Sequence, residues 1–277
     1  MTRALWLIRI LLLFAITFGN IQFIEGSTEG LSKIKMGTCT SLLMLITYDN
    51  NPYDARLRTS WGFSCVVRCD QKSILFDTGG NSTILLDNMG KLKIDSKEID
   101  IVVFSHIHGD HTGGLAGFLK KNNQVTVYLP KSFPQSFKNG VKSYGTSMEE
   151  VDAPREIIPG IYTTGELGRG IKEQSLIVKT SRGLVVITGC AHPGIVTIIR
   201  EAKKIAGDKV YLVLGGFHLG GTPTTQINAI IQNFKILGVE KVAPCHCTGE
   251  EAINLFRRYF GRNYIETGVG KIIPIVK

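Results

Sequence analysis

The stretch FSHIHGDHTGGL, residues 104–115, contains three of the chain's six histidines and an aspartate within six positions. It begins at Phe104, the last residue of the apolar run IDIVVF, and it ends in a glycine turn. An apolar run followed by such a turn predicts a buried strand leading into a helix. If the strand continues through His106 and His108, their side chains leave it on the same side. Asp110 and His111 follow at the turn. Imidazole and carboxylate groups suit a divalent transition metal, so the spacing predicts a metal site rather than a polar loop that caps a helix.

The other three histidines lie in the same kind of place. His192 occurs in VVITGCAHPG, His218 in YLVLGGFHL and His246 in VAPCHCTG, each just after an apolar run. Ligands of layered α/β proteins gather at the carboxyl ends of strands. Taken alone, each of these histidines fits an ordinary polar role equally well. Their shared context favours one common site.

Strand and helix patterns alternate along the chain. SLLMLITYD, SCVVRCD and KSILFDTGG predict early strands, TGGLAGFLKKN (112–122) predicts one helix, and residues 131–160 read as loops with helical pieces. The second half alternates strands such as GLVVITGC with helices such as GIVTIIREAKKIAG. This order predicts a layered α/β fold, with a single domain over residues 37–277.

Composition limits the classes of partner. The chain has 277 residues, of which 43% are hydrophobic and 20% charged, enough for one large domain with a real core. The formal charge of +9 suits an acidic partner. The basic residues are scattered, and no arginine-rich run with interleaved aromatics occurs, so nucleic acid is not expected. A small, anionic substrate is the predicted partner.

The N-terminus differs from the rest of the chain. MTRALWLIRILLLFAITFGNIQF places Arg3 and Arg9 around the start of an apolar run, and a polar spacer, EGSTEGLSK, follows. This layout predicts that residues 1–30 are a signal peptide or a membrane anchor. We therefore expect export or membrane attachment through the N-terminus. A cytoplasmic protein with a buried first element is the alternative.

The six cysteines contain no C-x-x-C pair and do not predict a zinc ribbon. Cys65 and Cys69 read as residues of one strand, about 13 Å apart. They cannot bridge each other at that distance, because the Cα atoms of a disulfide lie within about 7 Å. The cysteines leave the redox compartment open.

Together these motifs resemble the metallo-β-lactamase superfamily. Its H-x-H-x-D-H signature is matched by His106, His108, Asp110 and His111, and ILFDTGG, VVITGCAHPGI, GGFHL and CHCTG follow the family's order. The combination is similar to the subgroup named dihydropterin-ribofuranosylaminobenzene phosphate synthases. The resemblance implies an αβ/βα four-layer sandwich with a metal site along one edge.

The resemblance also implies a set of ligands for two divalent ions. Zinc is the first expectation, and manganese or iron are the alternatives. One ion would be bound by His106, His108 and His192, and the other by Asp110, His111 and His246. Asp77, in FDTGG, would orient a ligand histidine; locally it fits a turn-forming aspartate equally well.

One position departs from the family pattern. Many members have an aspartate that bridges the metals where ITGCAH has Cys190. A thiolate can bind zinc, but a free cysteine is also often a small buried residue, so both readings of Cys190 stay open. His218 is predicted to contact substrate or transfer a proton.

Such a site predicts hydrolysis of an ester, phosphoester or related bond by metal-activated water, with Asp110 and His218 as catalytic groups. A pterin-diphosphate-dependent transferase would use the same metals and is the alternative. A non-catalytic metal-binding or iron redox module is an alternative of another class. Trp61 and Phe63 either stack on a substrate ring or pack beneath the first sheet.

Overall fold

The computed structural model describes residues 37–207 and 209–275. The proposed signal peptide or anchor, residues 1–30, lies outside these ranges, and its assignment stays a prediction. Across the ranges described, none of the helices combines the length and the apolar character needed to cross a bilayer.

Seven strands form the first sheet. They are β1 (Leu42–Tyr48), β2 (Ser64–Cys69), β3 (Lys72–Phe76), β4 (Ile101–Val103), β5 (Thr126–Pro130), β6 (Ser147–Val151) and β13 (Ile272–Ile275). Their order is β13-β1-β2-β3-β4-β5-β6. The pairs from β3 to β6 are parallel, and the pairs from β13 to β3 are antiparallel.

Six strands form the second sheet. They are β7 (Arg155–Ile158), β8 (Ile161–Thr163), β9 (Leu176–Thr180), β10 (Gly183–Thr188), β11 (Val210–Gly216) and β12 (Lys241–Cys245). Their order is β12-β11-β10-β9-β8-β7. β10, β11 and β12 run parallel, whereas β7, β8 and β9 continue the sheet as antiparallel strands.

Helices cover the outer face of each sheet. They are α1 (Ser82–Lys91), α2 (Gly109–Thr112), α3 (Leu115–Leu119), α4 (Gln135–Lys142), α5 (Ile195–Ala206), α6 (Thr224–Ile236) and α7 (Glu250–Phe260). The apolar residues of α1, α3 and α4 pack on the first sheet, and those of α5, α6 and α7 pack on the second. In α5 the buried residues Ile195, Ile198, Ile199 and Ala202 follow helical spacing, so one face meets the sheet.

The main core lies between the sheets. Met44 and Val67 of the first sheet belong to the same buried cluster as Val185 and Leu212 of the second. Helix, sheet, sheet and helix therefore form four layers. The predicted αβ/βα four-layer sandwich is confirmed.

Three local expectations were wrong. Residues 131–160 contain strands β6 and β7 beside helix α4; both strands lie at sheet edges, and their polar residues hide the strand pattern. The stretch 112–122 does not form one helix, because α2 and α3 are separate. Strand β4 ends at Val103, so His106 and His108 lie in the following loop rather than on the strand.

Candidate metal centre

Loops from both sheets bring donor side chains together at one edge of the sandwich. These loops follow the carboxyl ends of β3, β4, β10, β11 and β12. Four groups of three donors occur there among the described residues, each with its ligand atoms within 4.8 Å of one another, and two of these groups share no residue and contain no cysteine. The first triad is His106, His108 and His192, and the second triad is Asp110, His111 and His246. These are the groupings that the family resemblance implies, while metal binding itself stays a prediction.

The hydrogen bonds of His111 and His246 define which of their nitrogens carry lone pairs. Nδ1 of His111 donates to the Asp77 carboxylate at 2.7 Å. Nδ1 of His246 donates to Oδ1 of Asn50 at 2.8 Å, and the Asn50 amide donates to the His246 carbonyl. Neutral imidazole carries one N–H, so both Nε2 atoms then present lone pairs. They face each other at 3.2 Å, a contact that requires a metal ion or a proton between them. Although burial opposes it, the Asp77 carboxylate raises the pKa of His111, so a proton can occupy that place when no metal is bound.

The first triad is oriented in the same way. Ser105 Oγ donates to Asp77 at 2.6 Å, so it accepts a hydrogen bond from Nδ1 of His106 at 2.9 Å. Nε2 of His106 is thereby left as an acceptor, 3.1 Å from Nδ1 of His108. Nε2 of His192 is buried and has no hydrogen-bond partner. A buried imidazole nitrogen without a partner, in the same donor group as the acceptor nitrogen of His106, fits a divalent cation.

The protonation states of His106 and His192 also suit metal binding. Burial and the neighbouring histidines hold the pKa of His106 far below its usual range. Burial and the nearby His218 lower the pKa of His192 to about 4. Both imidazoles are therefore neutral at neutral pH, the form in which histidine binds a metal.

Asp110 supplies the negative charge of the second triad. Its Oδ2 lies 3.3 Å from Nε2 of His246 and 3.6 Å from Nε2 of His111. Burial opposes ionisation, but interaction with the His246 and His111 rings, when these carry a proton at Nε2, lowers the pKa of Asp110 to about 2. Asp110 is thus a carboxylate at neutral pH and can bind a cation.

Asp77 lies behind the ligands rather than among them. It is fully buried, and it also accepts the Ser105 N–H at 2.7 Å. Gly189 approaches from the second sheet; a Cβ there would overlap Ser105 Oγ and lie 3.1 Å from Asp77. The residue at 189 must therefore be glycine for the two sheets to close around Asp77. Asp77 thus accepts hydrogen bonds from Ser105 and His111, and its role in orienting metal ligands stays a prediction.

A buried glutamate, missed by the sequence interpretation, shapes the loop that carries His192. Oε1 of Glu173 accepts the N–H groups of residues 189, 190 and 191 at 2.9–3.1 Å, and Oε2 accepts that of His192 at 2.8 Å. Burial raises the pKa of Glu173 to about 7, while hydrogen bonds from His192 and Ala191 oppose that rise. Because Glu173 lies in a glycine-rich loop remote from the motifs, no local pattern marks it.

Cysteine sulfur also lies at the centre. Sγ of Cys190 is 3.2 Å from Nε2 of His111, and Cys190 forms a donor group with His106 and His111. Cys247, which the sequence interpretation also missed, groups with Cys190 and His218. The sequence feature that could have identified Cys247 is its position directly after His246. The Cys190–Cys247 hydrogen bond lowers the pKa of Cys247 and raises that of Cys190, so one thiol ionises first.

His218 belongs to neither of the two triads. Its side chain is exposed, and its ring lies 4.5 Å from that of His192, centroid to centroid. Its predicted roles in substrate contact and proton transfer stay predictions.

A cavity of about 430 Å³ adjoins the second triad. Trp61 is 59% exposed, and its ring lies 4.9 Å from that of His246. Phe63, in contrast, is fully buried against Phe76. The two aromatics therefore differ: Phe63 packs in the core, whereas Trp61 lines the cavity together with His246.

Comparison with known proteins shows the family of the chain. The family model of the metallo-beta-lactamase superfamily matches residues 62–203, just over half of the chain. The chain belongs to the metallo-β-lactamase superfamily. Members of this superfamily depend on divalent metals, and the donor groups described above are candidate positions for such ions.

Individual relatives of the superfamily cover most of the chain. A 7,8-dihydropterin-6-methyl-4-(beta-D-ribofuranosyl)-aminobenzene-5'-phosphate synthase from Methanocaldococcus jannaschii is 32% identical over 80% of this chain and 92% of its own length. A solved structure described as a metal-dependent hydrolase of the beta-lactamase superfamily is 30% identical, with a TM-score of 0.73 over 85% of this chain and all of that one. The YhfI protein from Bacillus subtilis has a TM-score of 0.60 over 84% of this chain and 99% of its own; at 11% identity, it shows the fold alone.

Proposed function

We propose that this protein is a metal-dependent hydrolase that cleaves an ester, phosphoester or related bond. The Nε2 atoms of His111 and His246, which face each other at 3.2 Å beside the Asp110 carboxylate, carry this proposal. The similarity to a solved metal-dependent hydrolase of the same superfamily supports it.

The two triads would bind two divalent ions, most simply Zn²⁺, with Mn²⁺ or Fe as alternatives. When bound, such ions lower the pKa of water to about 7 and stabilise developing negative charge. Asp110 contributes the carboxylate that orients the attacking water. Asp77, through Ser105 and His111, holds a histidine of each triad in the required tautomer.

The substrate enters the cavity beside His246. Its volume of about 430 Å³ suits a small molecule. Trp61 offers an exposed aromatic face to a planar group of the substrate. Arg257 also lines the cavity and lies 3.4 Å from Glu266, so an anionic group of the substrate would compete with Glu266 for this guanidinium.

Metal content and hydrolysis test the proposal together. The full-length protein is assayed on a panel of phosphodiesters and carboxylesters before and after chelation, and again after zinc is restored. We expect chelation to abolish turnover, zinc to restore it, and Asp110→Asn to lose it. Asp87→Asn, a half-buried acid of α1 that pairs with Lys91, is the matched control and keeps full activity. Bound metal without turnover on the whole panel would contradict the proposal and favour a non-catalytic metal-binding or redox module.

A second candidate is a transferase. It rests on the 32% identity to the M. jannaschii synthase, which covers 92% of that relative. In this reaction an aminobenzene ribofuranosyl phosphate would displace pyrophosphate from a dihydropterin diphosphate. Pyrophosphate release that requires both substrates would establish the transferase, whereas turnover of a single ester in water would establish the hydrolase.

Export or membrane attachment is also proposed. A disulfide bond joins Cys39 to Cys69. Disulfides are typical of proteins that fold in an oxidising compartment, which supports export through the N-terminal segment. Fractionation of cells that express the full-length chain tests this: a protein retained in the cytosol with an intact N-terminus would contradict it.

A further inference from the structure

Three donors at the candidate centre remain outside the two triads. Cys190, His218 and Cys247 place two sulfur atoms and one imidazole nitrogen within 4.8 Å of one another. None of the three belongs to the first or the second triad. Among the described residues, the centre therefore has nine donors, which these three sets share out without overlap.

We propose that Cys190, His218 and Cys247 form a third metal-binding position, which takes a thiophilic divalent ion such as Zn²⁺ or Cd²⁺. Two sulfurs and one imidazole are a soft donor set, which favours such ions over Mg²⁺ or Ca²⁺. Three protein ligands leave a fourth tetrahedral position for water or another group. This ion is additional to the two in the proposed hydrolase.

Burial supports the cysteines as ligands. Cys190 and Cys247 are buried residues, 4% and 9% exposed, and neither forms a disulfide. The sulfur of Cys247 lies in space that Gly216 leaves open, because a Cβ at 216 would lie 2.7 Å from it. A larger residue at the end of β11 would displace this sulfur from the cluster.

The backbone holds His218 beside these sulfurs. His218 has a φ of +52°, in the left-handed region that residues other than glycine rarely adopt. The loop is tied to the turn after β12 by the Phe217 N–H, which donates to Thr248 Oγ1 at 3.1 Å. The Gly220 N–H donates to the Cys247 carbonyl at 3.4 Å. These bonds fix His218 near Cys247 although its side chain is exposed.

Cys190 connects the third position to the other two. Its sulfur is 3.2 Å from His111 Nε2, and it also groups with His106 and His111. A thiolate has several lone pairs, so this sulfur can contact ions on both sides. The three positions would then form one continuous cluster along the edge of the sandwich.

The assignment changes the role predicted for His218. A nitrogen bound to an ion has no lone pair with which to accept a proton. His218 would thus act as a ligand rather than as a proton donor to the leaving group. Metal content separates the two roles, whereas activity alone does not.

Metal stoichiometry tests the proposal. The full-length protein is stripped with a chelator, loaded with Zn²⁺ or Co²⁺, freed of excess metal by gel filtration and analysed for metal per chain. Thiolate-to-cobalt charge-transfer absorption in the near ultraviolet gives a second readout. The variants are Cys247→Ser and His218→Asn; asparagine tolerates the left-handed backbone. Cys65→Ala, which removes a buried free cysteine of the core, is the matched control.

We expect three ions per chain in the wild-type protein and in Cys65→Ala, and two in each of the other variants. Cys247→Ser would also weaken the charge-transfer band. His218→Asn changes an exposed side chain, so it gives the answer even if Cys247→Ser does not fold. Two or fewer ions in the wild-type protein would overturn the third position, whatever the fate of the two-ion centre. Three ions in His218→Asn, with turnover lost, would overturn it and assign proton transfer to His218 instead.

Discussion

Nδ1 of His111 donates a 2.7 Å hydrogen bond to Oδ2 of Asp77, and both side chains are fully buried. The same carboxylate accepts the Ser105 hydroxyl, which in turn accepts Nδ1 of His106. One aspartate thus orients a histidine in each triad. The two candidate metal positions are therefore coupled through a residue that contacts neither ion.

Asp77→Asn is expected to weaken zinc binding by about 10- to 100-fold, because the amide cannot accept all the hydrogen bonds that fix the two histidines. It should also lower the free energy of unfolding by about 1–3 kcal/mol, since a buried donor loses its partner. Competition with a chromophoric chelator measures the affinity. Asp100→Asn is the control, because Asp100 also accepts a backbone N–H beside a strand but lies away from the site. Equal zinc affinities for the two variants would contradict the role of Asp77.

Glu173→Gln should disturb the loop at residues 189–192. Glutamine keeps the shape but turns an NH₂ group toward the backbone N–H groups that Glu173 accepts. We expect a loss of about 1–3 kcal/mol in the free energy of unfolding and weaker metal binding. Urea unfolding and zinc titration measure the two effects. Glu166→Gln, which alters a half-buried acid of the same loop, is the control. It should change the free energy of unfolding and the zinc affinity only slightly.

Metal binding should stabilise the folded chain, because the donors come from loops of both sheets and assemble only on folding. Zinc at about 100 times its dissociation constant adds about 2.7 kcal/mol to the free energy of unfolding. For a domain of this size that raises the melting temperature by roughly 5–10 °C. Differential scanning calorimetry with zinc and with chelator measures the shift. Mg²⁺ prefers oxygen ligands, so it should change the melting temperature little. If zinc raised the melting temperature no more than Mg²⁺ does, the proposed metal centre would be contradicted.

Trp61→Ala should raise KM more than it lowers kcat, because Trp61 lines the proposed substrate cavity but donates no ligand. Loss of one aromatic contact corresponds to a change in KM of about 3- to 10-fold. Steady-state kinetics on the best substrate of the panel measures both constants. Tyr259→Ala removes another exposed aromatic, one that contacts Lys235 rather than the cavity, and should leave KM unaltered. A KM for Trp61→Ala equal to that of the wild type would place the substrate elsewhere.

The disulfide between Cys39 and Cys69 should stabilise the protein. Closing a loop of this length contributes roughly 3–4 kcal/mol by restricting the unfolded chain. Reductant should therefore lower the urea midpoint of the wild-type protein but not that of the Cys39→Ser/Cys69→Ser double variant. In the unfolded, oxidised protein, thiol titration should find only the four free cysteines, at 65, 190, 245 and 247. Six reactive thiols would show that the bond is absent.

Much of the site could be read from the sequence because its histidines follow apolar strands. The carboxyl ends of parallel strands meet at one edge, so His192 and His246 were expected beside the cluster at 106–111 before any geometry was known. Cys65 and Cys69 do not bridge each other: Cys65 is free, and Cys69 pairs with Cys39. Cys39 precedes the first strand, where no sequence pattern fixes its distance to β2.

Other features depend on packing that a linear pattern does not contain. Glu173 lies 16 to 19 residues before the N–H groups it accepts, and only the close approach of the two loops reveals it. Asn50 lies 196 residues before its partner His246. Strands β6 and β7 carry glutamates and an arginine at sheet edges, so their exposed faces lack the apolar alternation of a buried strand.

The loops that carry the nine donors of the candidate centre lie at one edge of the sandwich, and the β9–β10 hairpin lies at the other end of its strands. The hairpin between β9 and β10 turns there through Ser181 and Arg182, both exposed. This turn is the place at which a fluorescent label, a purification tag or a short linker to a surface can be inserted without approaching a metal ligand. The architecture thus separates the reactive side of the molecule from a side that is free for engineering.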